Sequence, residues 1–325
     1  MSNVLRSYRE FPEPTFVNRP EYVEVAPDKG FSYTKFHMLT ELDNFNLDWI
    51  LYTPDEPTDD VAKIVIPGFA ASRVVYERLA EELASMGYII GLYAPPREHN
   101  SRAALSPSHM RDALRLQEQA VRGTMKAINQ FTGIEEFDLV GHSLGNRIAL
   151  GAADNRTTAH PSRSTNVRNI LSDDGVGLDG EKKMRKVFKR LPDILKYEIA
   201  QGIPKMIEVS PTNLNEEALR HIVSDLGRLA REGLQIMNDS DVRPLVEHVR
   251  DRGIKYGALV FEKSQFFYPE EVIKHSAEYF DTPAIYVPNA YHVHPNTHPQ
   301  EHAPYVAMGL DELANRTPRR KHDAK

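Results

Sequence analysis

The stretch that decides the fold is FDLVGHSLGNRIAL, residues 137–150. Its first residues predict a short buried strand, and its last residues predict a helix directly afterwards. Between them, Gly141-x-Ser143-x-Gly145 fits a pattern in which serine occupies a sharp, strained turn from strand to helix. Glycine flanks such a turn because a larger residue would collide with neighbouring elements. We therefore expect the Ser143 hydroxyl to stand above the carboxyl edge of a sheet; a helix N-terminus with an incidental serine cap is the alternative.

Apolar segments of strand length alternate with amphipathic helical segments on both sides of this turn. Eight segments predict strands: 33–40, 47–53, 62–66, 88–93, 137–140, 167–172, 256–261 and 284–287. Helical periodicity is found at 72–86, 107–131, 144–153, 270–280 and 300–314. The polar turn Asp43-Asn44 indicates that the first two strands form a hairpin. The alternation predicts βαβ crossovers, so the expected fold class is α/β, with a mostly parallel eight-stranded sheet flanked by helices.

The interval between the sixth and seventh strands, residues 173–255, is longer than a crossover requires. Helices are predicted there at 182–201, 215–233 and 242–252. Because the last helix is enough to lead the chain back to the sheet, the earlier helices are surplus to the core. We therefore expect a core of residues 1–178 and 239–325, with residues 179–238 inserted between the sixth and seventh strands as a helical cap or lid.

Composition limits the classes of protein to which the chain can belong. Of its 325 residues, 41% are hydrophobic and 26% are charged, which excludes a mainly disordered, fibrous or membrane-embedded chain. The formal net charge of -6 provides no basic surface for nucleic acid or an anionic membrane. The absence of cysteine excludes disulfides, thiolate metal sites and a cysteine nucleophile. A small molecule is therefore the expected partner.

The N-terminal segment does not resemble a secretory signal. It carries Arg6, Glu10 and Pro12 where a signal needs an uninterrupted apolar core. No window approaches the run of about 20 apolar residues that a membrane-spanning helix needs. We therefore expect a cytoplasmic protein with no membrane span, and the sequence leaves open whether it forms a homodimer.

Together with two further motifs, the serine turn resembles the α/β-hydrolase superfamily, over nearly the whole chain from about residue 33 to residue 314. In that family the serine of G-x-S-x-G is a nucleophile. The segment IPGF, residues 66–69, follows the third strand and resembles the family's oxyanion loop, with proline in place of histidine. The resemblance implies that the backbone N–H groups of Phe69 and Leu144 stabilise an oxyanion.

The second motif is PNAYH, residues 288–292, which follows the last strand and resembles the turn that carries the family's general base. Serine followed by histidine is also the chain order of this fold. By this resemblance, His292 takes the proton of Ser143 and returns it to the leaving group. The resemblance implies no cofactor, and in this family an inserted cap roofs the active site.

The carboxylate that should complete a triad is missing from its usual place. In the family it follows the seventh strand, where this chain reads FEKSQFF, residues 261–267, and has Ser264 at the matching position. Some relatives place the acid after the sixth strand, where this chain reads Ser172-Asp173-Asp174-Gly175. We therefore expect Asp173 to be the acid, with Asp174 as second choice and Glu262 as third. A polar loop without a catalytic role is the alternative interpretation of the aspartate pair.

Four histidines lie close together near the C-terminus: His292, His294, His298 and His302. A metal site is conceivable, but no carboxylate-histidine motif accompanies them, and His294-Pro295 is typical of a turn. We therefore expect no metal, and we keep His294 as the reserve candidate for the base.

The expected function is that of a serine hydrolase that cleaves a carboxylic ester or related acyl compound through an acyl-enzyme on Ser143. Serine at this turn argues against relatives that use an aspartate nucleophile there. The alternative is a non-catalytic small-molecule-binding or regulatory protein that keeps the fold without a complete triad.

Overall fold

The computed structural model describes residues 15–16, 20–42, 45–68, 71, 73–95, 113–154, 166–175, 177, 196, 204–205, 208, 241–265 and 269–316. In chain order they form β1 (Thr15–Phe16), β2 (Glu21–Val23), β3 (Tyr33–Leu42), β4 (Phe45–Pro54), β5 (Ala62–Ile66), α1 (Val74–Ser85), β6 (Ile89–Tyr93), α2 (Ala113–Thr132), β7 (Glu136–His142), α3 (Leu144–Ala153), β8 (Asn166–Asp173), α4 (Arg243–Asp251), β9 (Lys255–Phe261), α5 (Pro269–Tyr279), β10 (Ile285–Val287), α6 (His294–Thr297) and α7 (Pro299–Asn315). Nearly all of the expected cap, 179–238, lies outside the described residues, so the cap stays a prediction.

One sheet contains all the described strands, in the order β1-β3-β4-β6-β5-β7-β8-β9-β10, with β2 also paired to β3. The pairs from β6 to β10 are all parallel, whereas β4 runs antiparallel to both β3 and β6. The prediction of a mostly parallel α/β sheet is confirmed. The eight predicted strands are β3 to β10, and the structure adds β1 and β2, which pair antiparallel with β3. Segments of two or three residues are too short to show the alternation by which a strand is predicted.

Helices cover both faces of the sheet, which explains why its central strands are continuously apolar. Every residue of β5 and β6 is buried. Successive side chains point to opposite faces, so Leu139 packs in the cluster that includes residues of α2, α3, α4 and α5. Its neighbour Val140 packs in the cluster that includes residues of α1 and α7. The core is therefore two apolar layers with the sheet between them.

The parallel strands end at the same edge of the sheet, and this edge gathers the residues singled out by the sequence. Gly68 follows β5, Ser143 follows β7 and Asp174 follows β8, while Ser264 and His292 come after β9 and β10. In open α/β sheets, ligands bind at the carboxyl ends of the strands. A functional site is therefore expected at this edge.

Among the described residues, the structure contains no helix that is both long enough and apolar enough to cross a membrane.

Candidate active site

Ser143 occupies the strained turn that the sequence predicts. It lies between the last residue of β7 and the first residue of α3, with φ 55° and ψ -118°. A positive φ is uncommon for a residue that has a Cβ, and such strain is concentrated at functional sites. The Ser143 N–H donates to the carbonyl oxygen of Asp173 at 3.1 Å, which anchors the turn to β8. Ser143 is only 9% exposed, so neighbouring residues cover most of its surface.

The two glycines of the motif are there because backbone segments approach closely. A Cβ on Gly141 would lie 2.5 Å from the carbonyl oxygen of Gly145, and one on Gly145 would lie 2.2 Å from that of Ile66. Contacts this short require the backbone to shift. The steric reason predicted for these glycines is therefore confirmed.

His292 is paired with Asp174. Its Nδ1 lies 2.6 Å from Oδ2 of Asp174, and both side chains are buried. The Ser264 hydroxyl donates to the same Oδ2 at 2.7 Å. Because an ionised carboxylate only accepts hydrogen bonds, the His292 Nδ1 carries the proton in this pair. In the neutral ring, Nε2 is then the nitrogen that can take up a proton.

Asp173 was expected to be the acid that contacts His292. The structure does not place the two in contact, so this expectation is wrong. Its Oδ2 lies 3.0 Å from Nε2 of His302. The reason is local geometry. Asp173 ends β8 and shares a face with Leu171, on the side covered by α7. Asp174 comes after the strand and has φ 47°, so its side chain leaves in a different direction.

A tight turn supports the position of Asp174. A Cβ on Gly175 would lie 2.0 Å from Oγ of Ser172 and 2.6 Å from Cβ of Asn146, beneath the serine turn. Tyr256 donates its hydroxyl hydrogen to the amide oxygen of Asn146 at 2.9 Å. The segment that follows β8 is thus packed directly against the start of α3.

Of the other histidines in the C-terminal cluster, His302 contacts Asp173, His294 contacts His302, and His298 contacts His294. Nδ1 of His294 lies 3.3 Å from Nδ1 of His302, and the His294 ring stacks on that of His298 with centroids 5.0 Å apart. Burial, with a contribution from His302, lowers the pKa of His294 to about 3. Burial alone would raise the pKa of Asp173, but the neighbouring His302 holds that pKa below its ordinary value. The reserve base His294 therefore lies in the Asp173 cluster.

Within the part of the chain that the structure describes, no three histidine, aspartate or glutamate side chains are grouped in a way that could hold a metal ion.

The remaining predicted site residues have different outcomes. Glu262, the third choice for the acid, is exposed, and its Oε2 accepts the Asn289 N–H at 2.6 Å. Its carboxylate is therefore used elsewhere than at His292. Leu144 is the first residue of α3, where a backbone N–H has no acceptor within the helix. Phe69 lies outside the described residues.

His142 and Tyr76 belong to the site although no sequence motif points to them. Nδ1 of His142 lies 2.5 Å from the Tyr76 hydroxyl, and Nε2 lies 2.8 Å from the carbonyl oxygen of His292. His142 is the variable position before the serine in the motif, and Tyr76 is one of several apolar-face residues of its helix. The motif and the helical period therefore contained no signal for this contact, which depends on three distant segments meeting.

Comparisons with known proteins identify the architecture. No family model and no curated protein matches the sequence. The fold is similar to the crystal structure of a membrane phospholipase A, a bacterial virulence factor, with a TM-score of 0.61, 17% identity and 88% of each chain covered. It is also similar to a mutant of the N-acyl homoserine lactonase AidH complexed with N-hexanoyl homoserine, with a TM-score of 0.57, 13% identity and coverage of 86% of this chain and 97% of the other.

A third similar structure is a thermophilic esterase from Thermogutta terrifontis, with a TM-score of 0.56, 14% identity and coverage of 91% of this chain and 99% of the other. At these identities the similarity concerns the fold and not the chemistry. The similarity covers 86–91% of the present chain and 88–99% of the three other chains. The chain has the α/β-hydrolase fold.

Proposed function

We propose that the protein is a serine hydrolase that cleaves a carboxylic ester or related acyl compound through an acyl-enzyme on Ser143. The observation that carries the proposal is the buried Asp174–His292 pair, with 2.6 Å between carboxylate and imidazole, at the sheet edge that also holds the strained Ser143 turn. A serine, a histidine and an orienting carboxylate are the groups that this chemistry requires.

In this mechanism, Oγ of Ser143 attacks the acyl carbon while Nε2 of His292 takes its proton. The proton then passes to the leaving group, and the acyl-enzyme is hydrolysed by water activated in the same way. Asp174 keeps the proton of neutral His292 on Nδ1 and stabilises the imidazolium. The Ser264 hydroxyl, 2.7 Å from Oδ2 of Asp174, supports the position of that carboxylate.

Charge that develops on the substrate oxygen needs hydrogen-bond donors. We assign this role to the backbone N–H groups of Leu144, at the N-terminus of α3, and of Phe69, which follows Gly68 in the sequence. Gly68, which precedes Phe69, donates its own N–H to the Tyr76 hydroxyl at 3.1 Å. The N–H of Gly68 is therefore already bonded to Tyr76.

The activities named for the similar structures support the proposed substrate class. Those structures are of an esterase, a lactonase and a phospholipase A. Esters and lactones have the acyl carbon that a serine nucleophile attacks. We propose that residues 179–238 form the roof over the site and that the protein acts in the cytoplasm on a small acyl compound.

The proposal is tested with a fluorophosphonate probe, which reacts with activated serines. We expect the wild-type chain to be labelled, Ser143→Ala to be unlabelled, and His292→Ala to be labelled at a small fraction of the wild-type rate. Ser85→Ala is the matched control, because Ser85 ends α1 and donates to the Glu82 carbonyl oxygen away from the site. A folded wild-type protein that never reacts with the probe or an activated ester would support the non-catalytic binding protein instead.

A further inference from the structure

We propose that Tyr76 and His142 are a positioning pair that holds the main chain of His292 and of Gly68 in place around Ser143. The inference rests on the proposed function, since it concerns the same site. The inference goes beyond the proposed function because it assigns a role to two residues that contact neither the acyl carbon nor the transferred proton.

The hydrogen bonds of the pair have a defined direction. The carbonyl oxygen of His292 can only accept, so Nε2 of His142, 2.8 Å away, carries the proton. In the neutral ring Nδ1 is then an acceptor, and the Tyr76 hydroxyl donates to it at 2.5 Å. The Tyr76 oxygen in turn accepts the Gly68 N–H at 3.1 Å. One continuous chain of hydrogen bonds therefore joins Gly68 to His292.

Sheet topology shows why this chain of bonds matters. β5 and β7 are neighbours in the sheet, but β8 and β9 separate β7 from β10, after which His292 lies. Ladder hydrogen bonds therefore do not link the serine turn directly to the loop of the base. The bond from His142 to the His292 carbonyl spans that separation next to Ser143 itself. A base displaced by about 1 Å loses most of its efficiency, so such a constraint acts on the rate.

Packing gives the pair little freedom to move. Tyr76 is fully buried and His142 is 4% exposed. The His142 and His292 rings are 4.7 Å apart between centroids. A Cβ on Gly68 would lie 3.1 Å from both Nδ1 of His142 and Cβ of Ser143, so glycine lets the loop approach the pair.

The environment also keeps His142 uncharged. Burial, with a contribution from His292, lowers the pKa of His142 to about 3. A second cation beside His292 would oppose the imidazolium that forms there in the proposed mechanism. A neutral imidazole provides a donor and an acceptor without that repulsion.

The test compares variants in the rate of fluorophosphonate labelling and in kcat and KM for an activated ester. Tyr76→Phe removes one hydroxyl and should lower kcat about 5- to 20-fold with KM within about two-fold, as expected for the loss of an orienting hydrogen bond. His142→Leu removes the hydrogen bonds of the ring to Tyr76 and to the His292 carbonyl oxygen, and it should lower kcat about 100-fold. His142→Gln keeps a donor that can reach the His292 carbonyl, so it should recover part of that loss.

Tyr88→Phe is the matched control, because Tyr88 is also buried and donates its hydroxyl to Asp311 at 3.0 Å, before β6 and away from the site. Tyr88→Phe should lower Tm by about as much as Tyr76→Phe does, but it should leave kcat unchanged. Tyr76→Phe should lower kcat less in the His142→Leu background than in the wild type, because the bond between Tyr76 and His142 is already lost there and only the bond to the Gly68 N–H remains to be broken.

The positioning role is overturned if Ser143→Ala abolishes labelling while Tyr76→Phe and His142→Leu both stay within about two-fold of the wild-type kcat. It is also overturned if the two effects multiply independently. An unreactive wild-type protein would instead overturn the proposed function, and the catalytic role of the pair with it. The two failures are therefore distinguishable.

Discussion

Two neighbouring aspartates each hold a buried histidine, but the two pairs lie in different surroundings. Asp174 contacts His292 in the loop after β10, and its carboxylate also accepts the Ser264 hydroxyl. Asp173 contacts His302 within the 17-residue helix α7. Both pairs have hydrogen-bond geometry, at 2.6 Å and 3.0 Å between the nitrogen and oxygen atoms. An Asp–His contact by itself therefore does not identify a catalytic pair.

The two pairs differ in the surroundings of their histidines. The His302 side chain is completely buried and its ring packs at 5.3 Å, edge-on, against that of Phe261. Oδ1 of Asp173 has no hydrogen-bond partner among the described residues. His292 instead lies in the loop that His142 anchors to the serine turn. We infer that the Asp174 pair serves catalysis and that the Asp173 pair serves the packing of α7 against the sheet.

Substitution of each aspartate by asparagine gives the sharpest test of this comparison. Asp174→Asn should lower kcat by about 10³- to 10⁴-fold with little change in fold, because the amide does not favour the required tautomer or stabilise the imidazolium. Asp173→Asn should keep kcat within about ten-fold. It should lower the free energy of unfolding by about 2 to 3 kcal/mol, because His302 loses a charged acceptor. Ester hydrolysis and urea denaturation measure the two effects, and the reverse pattern would show that the roles are exchanged.

The pH dependence of stability should report on the Asp173 cluster. Burial lowers the pKa of His294 to about 3, so in the pH range from about 6.5 down to 3 the unfolded chain binds a proton there that the folded chain does not. Stability therefore falls as the pH falls, by about 2 kcal/mol for this group between pH 7 and pH 5. His294→Gln should remove that share of the loss. Urea denaturation of both proteins at the two pH values checks this, and equal losses would contradict it.

The smallest expected effect concerns Ser264, at the position where the family's acid usually lies. If Asp173 were the acid, Ser264→Ala would be nearly silent. Because the Ser264 hydroxyl donates to the Asp174 oxygen that contacts His292, we expect its loss to lower kcat by about five-fold. Ser85→Ala should have no effect on kcat. Steady-state kinetics with an activated ester distinguishes the two variants, and a Ser264→Ala enzyme at full activity would show that Asp174 does not depend on this bond.

Local sequence patterns predicted the elements that carry the site. The helix predicted at 144–153 is α3 with the same limits, and the strand before it lies within β7. The strained serine turn was predictable because its glycines are required by close backbone contacts within a few residues of Ser143 and with β5. The alternation of strands and helices was sufficient to predict a mostly parallel sheet, since parallel strands need crossovers.

The sequence by itself thus determined the fold class, the serine turn and the two segments that supply candidate acids and bases. Tertiary structure decided which aspartate faces His292, because that depends on the face of β8 that α7 covers and on the positive φ of Asp174. It also decided the contact of His142 with Tyr76 and His292, which joins residues 66 and 150 positions apart in the chain. Periodicity and motifs report on neighbours along the chain, whereas side-chain partners are chosen by how distant segments pack.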